Sequence, residues 1–113
     1  MNYKIVVTPA FQQNAKVLGK KYHSIKEDLL LFEKNLQLNP YMGIDLGGGV
    51  RKIRIAITSK NKGKRGGARI ITYHFIVNMD ETKIYLLSIY DKSEKDSISK
   101  QEIENIKKEN GLL

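Results

Sequence analysis

Lys52 and Arg54 stand two residues apart in RKIRIA, and Arg69 and Tyr73 four apart in ARIITYHF. In an extended chain such spacings put side chains on one side, so each pair can address one substrate. Cations gathered on one side can bind a phosphate and stabilise negative charge that develops on it, while neighbouring groups can take or give protons. Lysines crowded by other cations hold their protons less tightly, arginine stays charged, and tyrosine can stack on a base or share a proton.

These residues lie in a window with an unusual balance. Between Asp45 and Asp80 there is no acidic residue, while Arg51, Lys52, Arg54, Lys60, Lys62, Lys64, Arg65 and Arg69 supply eight positive charges, equal to the whole net charge of +8. The other twelve Lys and Arg are matched by the twelve Asp and Glu. A charge run is ordinarily a solvated face. Here the basic residues are interleaved with β-branched apolar ones and bracketed by strands, which favours a site for a polyanion such as a phosphate backbone.

The elements that must carry these residues follow from periodicity. Tyr3 to Val7 reads as a short strand, and Thr8 with Pro9 as a helix start. Phe11, Ala15, Leu18 and Tyr22 recur at helical spacing. Ser24 and Glu27 have the spacing of a capping box, and Ile25, Leu29, Phe32 and Leu36 form the buried stripe of a second helix that stops at Asn39-Pro40. Tyr41 to Gly49 ends in three glycines; no Gly-Lys-Ser or Gly-Lys-Thr follows, so it is expected to be a flexible loop and not a phosphate cradle.

From Val50 the period becomes two. Lys52 and Arg54 share one side of a strand, with Arg51, Ile53 and Ile55 on the other. After the loop from Thr58 to Gly67, Ala68 to Val77 is a second strand with Arg69, Ile71, Tyr73 and Phe75 on one side. Placing Arg69 and Tyr73 beside Lys52 and Arg54 keeps the arginine in solvent and turns His74 toward the helices as a hydrogen-bonded core residue. His23, in a turn, reads as structural or exposed. Lys83 to Tyr90 is a third strand with Tyr85, Leu87 and Ile89 on one side. A last helix starts at a second capping box, Ser99 and Glu102, with Ile98 and Ile103 placed as a hydrophobic staple.

The 113 residues suit a single domain with one core, 41% hydrophobic and 28% charged. Having no cysteine, the chain can form neither a disulfide nor a thiolate metal site. No apolar stretch reaches the roughly 18 to 20 residues of a membrane helix, and the N-terminal sequence lacks the features of a secretory signal, so a cytoplasmic protein is expected.

With the phrases GGGVRKIRIA, NKGKRGGARIITYHF and IYLLSIYDKSEKD, this order resembles the RelE/ParE superfamily of type II toxins and, within it, the HigB-like members. The resemblance implies an α+β, RelE-like fold, β-α-α-β-β-β-α, with a mainly antiparallel curved sheet and helices on one face. It also implies a ribosome-dependent mRNA endonuclease without cofactor or metal. Lys52 and Arg54 would take phosphate and general acid/base positions, and Arg69 would contact the scissile phosphate. Lys92, in the loop after the last strand, would be a further basic residue, and Tyr73 would share the face. Lys62, Lys64 and Arg65 would form the basic loop of the HigB-like subset, with Arg51 and Lys60 as further RNA or ribosome contacts. The partners implied are the ribosome, mRNA and a cognate antitoxin of helix-turn-helix type, which alone would touch operator DNA. Two other readings stay open: a ParE-like inhibitor of DNA gyrase, and a non-enzymatic RNA-binding module.

Overall fold

The structure is a computed structural model that describes residues 2–113. Strand β1 (Asn2–Val7) leads into helices α1 (Pro9–Lys21) and α2 (Ile25–Leu38); strands β2 (Ile44–Gly47), β3 (Val50–Ile55), β4 (Ala68–Ile76) and β5 (Glu81–Asp91) follow, then helix α3 (Lys100–Glu109). One five-stranded sheet has the order β1-β5-β4-β3-β2. All its pairings are antiparallel except β1 with β5, which is parallel. That exception has a simple cause: α1 and α2 intervene between β1 and the rest of the sheet and return the chain across one face. The architecture is the α+β, mainly antiparallel one expected, with one more strand. The stretch read as a flexible loop contains β2, which forms a hairpin with β3 across the glycines. Gly43, at φ 92°, lies where a Cβ would meet the Lys52 carbonyl oxygen at 2.5 Å, so only glycine lets the chain enter β2 so close to β3. No helix among the described residues is long and apolar enough to cross a membrane.

Helix starts show which local signals hold. The Thr8 hydroxyl accepts from the Phe11 amide at 3.2 Å and donates to the Leu86 carbonyl at 2.7 Å, so one side chain both caps α1 and ties it to β5. The Ser99 and Glu102 capping box at α3 is complete. The predicted box at α2 does not form. Ser24 has φ −86° and ψ −4°, already helical, and its hydroxyl is engaged with Asp28 at 2.7 Å and with the Ser59 amide at 2.9 Å.

The sheet is covered on both faces. Phe11, Leu18, Ile25, Phe32 and Leu36 of α1 and α2 pack on Ile53, Ile55, Ile70, Ile84, Leu86 and Ile89. On the other face Ile103, with Ile98, Ile106 and Leu112 beside it, packs on Val50, Ile71, Leu87 and Tyr90. The expected placement of the helices on one face therefore holds for α1 and α2 but not for α3, which lies on the opposite face. A bulge helps to make its seat. Ile71 pairs with Ser88 but Thr72 with Leu86, leaving Leu87 as an extra residue. An inserted residue reverses the alternation beyond it. Tyr85 and Leu87 share a side, as predicted, and it is the one facing α3, but Ile89 belongs to the α1/α2 side and Tyr90 takes its place under α3.

Candidate functional site

The β3–β4 register places the chemistry-bearing residues. Val50 lies opposite Tyr73, Lys52 opposite Ile71, and Arg54 opposite Arg69. Directly opposed residues share a face, so Lys52, Arg54, Arg69 and Tyr73 are together, as the alternation predicts, on the face that α3 partly covers. Arg54 is exposed and Lys52 half-buried. Among the described residues neither belongs to an ion pair, and the same holds for Lys62, Lys64 and Arg65, all three exposed.

Arg69 departs from its expected position in solvent. It is 3% exposed. Its Nη1 donates to the carbonyls of Lys64 at 2.9 Å and Ala68 at 3.2 Å, and its Nη2 to that of Arg65 at 3.2 Å. Burial, and then the neighbouring Arg54 charge, lower its pKa from the usual arginine value. Alternation identifies the side of a sheet but not what covers it, and here the cationic loop folds back over the end of its own hairpin.

That loop is not loose. Asn61 has φ 57°, the Gly66 amide donates to the Lys62 carbonyl at 3.3 Å, and the Gly67 amide to the Lys64 carbonyl at 3.3 Å. The Lys92 amide donates to the Gly67 carbonyl at 3.0 Å, fastening the loop to the end of β5. At Gly67 a Cβ would stand 2.0 Å from the Ile55 carbonyl oxygen, so the chain approaches β3 more closely than any side chain allows.

Three predicted contacts are otherwise engaged. Arg51 lies on the opposite side of β3 from Lys52, where its Nε donates to the Met42 carbonyl at 3.2 Å and Nη2 to that of Gly43 at 3.0 Å. Its guanidinium sits over the Tyr41 ring, 5.9 Å from the centroid, and holds the approach to β2. Lys60 points inward to Asp91 at 2.6 Å. The Lys92 ammonium bonds the Asp96 carboxylate at 2.5 Å and the Asp96 carbonyl at 3.0 Å. Arg51 and Lys60 are thus corrected from outward contacts to structural ones, while Lys92 stays at the rim with its acid beside it. Asp96 has its pKa lowered by Lys92 first and also by the charge of Lys52, which sets this carboxylate at the edge of the cationic face.

Tyr73 is half-buried. The Lys107 ammonium lies 4.2 Å from its ring centroid, and the Tyr85 ring 6.5 Å away. Lys107, Tyr85 and Asp96 are therefore part of this neighbourhood although strand spacing alone does not bring them in. Lys107 leaves a signal in the sequence, since it stands four residues after Ile103 and one after Ile106 on the face α3 buries. His74 is on the α1/α2 side as predicted, its ring 4.8 Å from that of Tyr41, but its Nε2 has no hydrogen-bond partner among the described residues. Burial lowers its pKa, against the Pro40 carbonyl and with the Arg51 charge.

A small hollow of about 120 Å³ lies beside Arg54 and Lys64. A roomier one, about 970 Å³, runs along the free edge of β1 beside Leu30 and Leu31 of α2. The cationic face is instead an open surface, flanked by a cleft of about 480 Å³ between Gly47, Gly48 and Val50 on one side and Ile98, Ile103 and Lys107 on the other. Such a shape suits a chain laid across it more than a small molecule enclosed by it. A family model described as the RelE toxin of the RelE/RelB toxin–antitoxin system matches residues 5–112.

Proposed function

Since this chain belongs to the RelE family of toxins from toxin–antitoxin systems, we infer that it halts growth as a ribosome-dependent endoribonuclease acting on translated mRNA. One observation carries this reading: Lys52 and Arg54 share a sheet face and, among the described residues, stand outside any ion pair, next to an ordered loop that presents Lys62, Lys64 and Arg65. Several unpaired cations on a rigid surface attract a phosphate backbone and stabilise negative charge on it.

In this reading the 2′-oxygen of the message attacks the adjacent phosphorus, the bond to the 5′-oxygen of the next nucleotide breaks, and a cyclic phosphate and a 5′-hydroxyl result. One proton leaves the 2′-hydroxyl and one reaches the departing 5′-oxygen, with Lys52 taking part in that exchange; Arg54 stabilises the negative charge on the phosphoryl oxygens, and Tyr73 and Lys92 border the leaving group. No closely bonded acid/base pair is present among them. The substrate must be oriented by something larger, and the ribosome in its decoding state supplies that. The basic loop favours the HigB-like branch of the family, whose antitoxin would be of helix-turn-helix type, and the excess of positive charge favours an acidic segment on that partner.

Expression of the chain alone in bacteria, with mapping of mRNA ends in translated and untranslated messages, tests the proposal. Cuts confined to translated messages are expected. Intact messages together with inhibited DNA gyrase would replace this reading by the gyrase one, and binding without any cut would leave an RNA-binding module.

A further inference from the structure

Two half-buried charges of α3, Glu104 and Lys107, line one cleft, and among the described residues neither belongs to an ion pair. We propose that this cleft, between α3 and the turn joining β2 to β3, is a subsite for one unpaired nucleotide near the cut. Glu104 reads its base and Lys107 holds its phosphate. The proposal rests on the reading that the cationic face meets a message, and it adds where a neighbouring base goes and what selects it.

The cleft has a volume of about 480 Å³, within the range of sites that enclose a small ligand. Leu46 and Val50 wall it on the sheet side, Ile98 and Ile103 on the helix side. Val50 and Ile103 are packed into the core beneath, so the walls are held in place. Apolar walls suit the flat faces of a base that has left its stack. Ile103, Glu104 and Lys107 stand at spacings of one helix face, which makes that side of α3 part apolar and part charged. The Glu104 carboxylate has no hydrogen-bond partner among the described residues, and the Lys107 ammonium has only the Tyr73 ring, 4.2 Å from its centroid.

The cleft continues the cationic face. Val50 lies opposite Tyr73 and on the same side of β3 as Lys52 and Arg54. At about 3.3 Å per residue, Val50 to Arg54 is about 13 Å, so a strand lying along the two cations reaches the cleft within a few nucleotides. Tyr73 stands at the junction. Its ring has Lys107 over it and the Gly49 backbone beside it, where a Cβ would come 3.2 Å from Cε1. Lys107 is thus placed for the phosphate that links cleft and face. A carboxylate there repels phosphate and helps binding only when a base donates to it. Guanine offers two adjacent N–H donors that match the two carboxylate oxygens. Uracil offers one N–H between two carbonyls, which a carboxylate repels. Glu104 therefore selects guanine and rejects uracil.

Two measurements test this, one of them without ribosomes. The free protein is titrated separately with guanosine and uridine 5′-monophosphate while the methyl signals of Leu46, Val50, Ile98 and Ile103 are followed by NMR. They should move with the guanosine nucleotide at concentrations where the uridine one leaves them still, and Glu104→Gln should remove the difference. Methyls that stay still with both, or move equally with both, overturn the proposal. In the second measurement, translated messages randomised around the cut are digested and their ends sequenced. Wild type should prefer guanine to uracil by roughly 5- to 100-fold at one position flanking the cut. Glu104→Gln should lose that preference and keep the others, and identical base profiles for the two proteins overturn the proposal. Lys107→Met should keep the preference, raise the half-saturating concentration more than it lowers turnover, and reduce the salt slope by about 0.7; Lys107→Arg should restore both. Should wild type cut no message at all while the guanosine shifts persist, the endoribonuclease reading falls and the nucleotide subsite stands.

Discussion

Lys60 and Asp91 meet inside the protein, with Nζ 2.6 Å from Oδ1 and only 10% and 0% of the two side chains exposed. The Tyr22 hydroxyl donates to the other carboxylate oxygen at 2.6 Å, and the Ser93 amide and hydroxyl donate to Oδ1 at 2.9 and 2.8 Å. One carboxylate thus joins α1, the turn after β3 and the end of β5. Replacing Lys60 by methionine strands that charge, so a loss of about 3 to 5 kcal/mol in unfolding free energy is expected. Urea titration checks it, and Lys60→Met with Asp91→Asn together should recover part of the loss. A Lys60→Met protein as stable as wild type would show that the pair is not needed.

The same carboxylate sets a pH dependence. Burial alone would raise the Asp91 pKa, but the bonds from Lys60, Tyr22 and Ser93 outweigh it and hold it far below the usual carboxylate value. A depressed folded-state pKa means that the unfolded chain binds the proton first. The stabilisation is therefore complete above the ordinary aspartate range near pH 4 and is lost progressively as pH falls below it. Thermal unfolding between pH 7 and pH 3 should show a smaller acid destabilisation in Asp91→Asn than in wild type.

Arg54 is exposed, so its removal should spare the fold and damage the chemistry. Arg54→Ala is expected to change stability by no more than about 0.5 kcal/mol. It should reduce cleavage of a translated message by roughly 100- to 1,000-fold, the typical effect of losing one preorganised donor to a developing negative charge. Calorimetry and a cell-free translation assay on the same preparation supply both numbers.

Neutralising Lys62, Lys64 and Arg65 as glutamines should lower the salt dependence of ribosome association by about one unit of log-log slope for each phosphate that no longer meets a cation. Co-sedimentation across a potassium chloride series measures this. A slope equal to wild type would place the backbone contacts elsewhere.

Asp96 offers a change of opposite sign. It bonds Lys92 and feels the charge of Lys52, so it competes with phosphate for the rim of the face. Asp96→Asn should tighten association in the same salt series and steepen the slope. Weaker association would mean that Asp96 positions Lys92 for its substrate instead of masking it.

Much of this arrangement is legible in the sequence, for a reason visible in particular residues. Thr8, Pro9, Ser99 and Glu102 act within one turn of chain, and the side shared by Lys52, Arg54, Arg69 and Tyr73 follows from the strand period alone. Ser24 misleads because its hydroxyl has a better partner in Asp28 and Ser59, the latter far along the chain. Lys60 looks like one more outward cation because nothing nearby in sequence reveals Asp91, whose adjacent cation in the chain is Lys92. The bulge at Leu87 has no glycine or proline to announce it, and it sends Ile89 and Tyr90 to the sides opposite those that alternation predicts. Strand period puts Arg69 on the right face with the wrong neighbours, since burial there is made by a loop and not by the strand.

The parallel pairing of β1 with β5 also sets a timetable for synthesis. Asn2 has to wait for Glu81, and Val7 for Leu86, before the sheet that seats α1 can close. At about 5 to 20 residues per second the interval is roughly 4 to 16 s, long compared with hairpin formation. The β3–β4 hairpin can form in that time, but without β5 it lacks the strand that carries Asp91 and the Lys92 amide that fastens the loop. A growing chain therefore carries its cations through the ribosome well before it has the scaffold to aim them. A message broken before the codons for β5 yields no folded product.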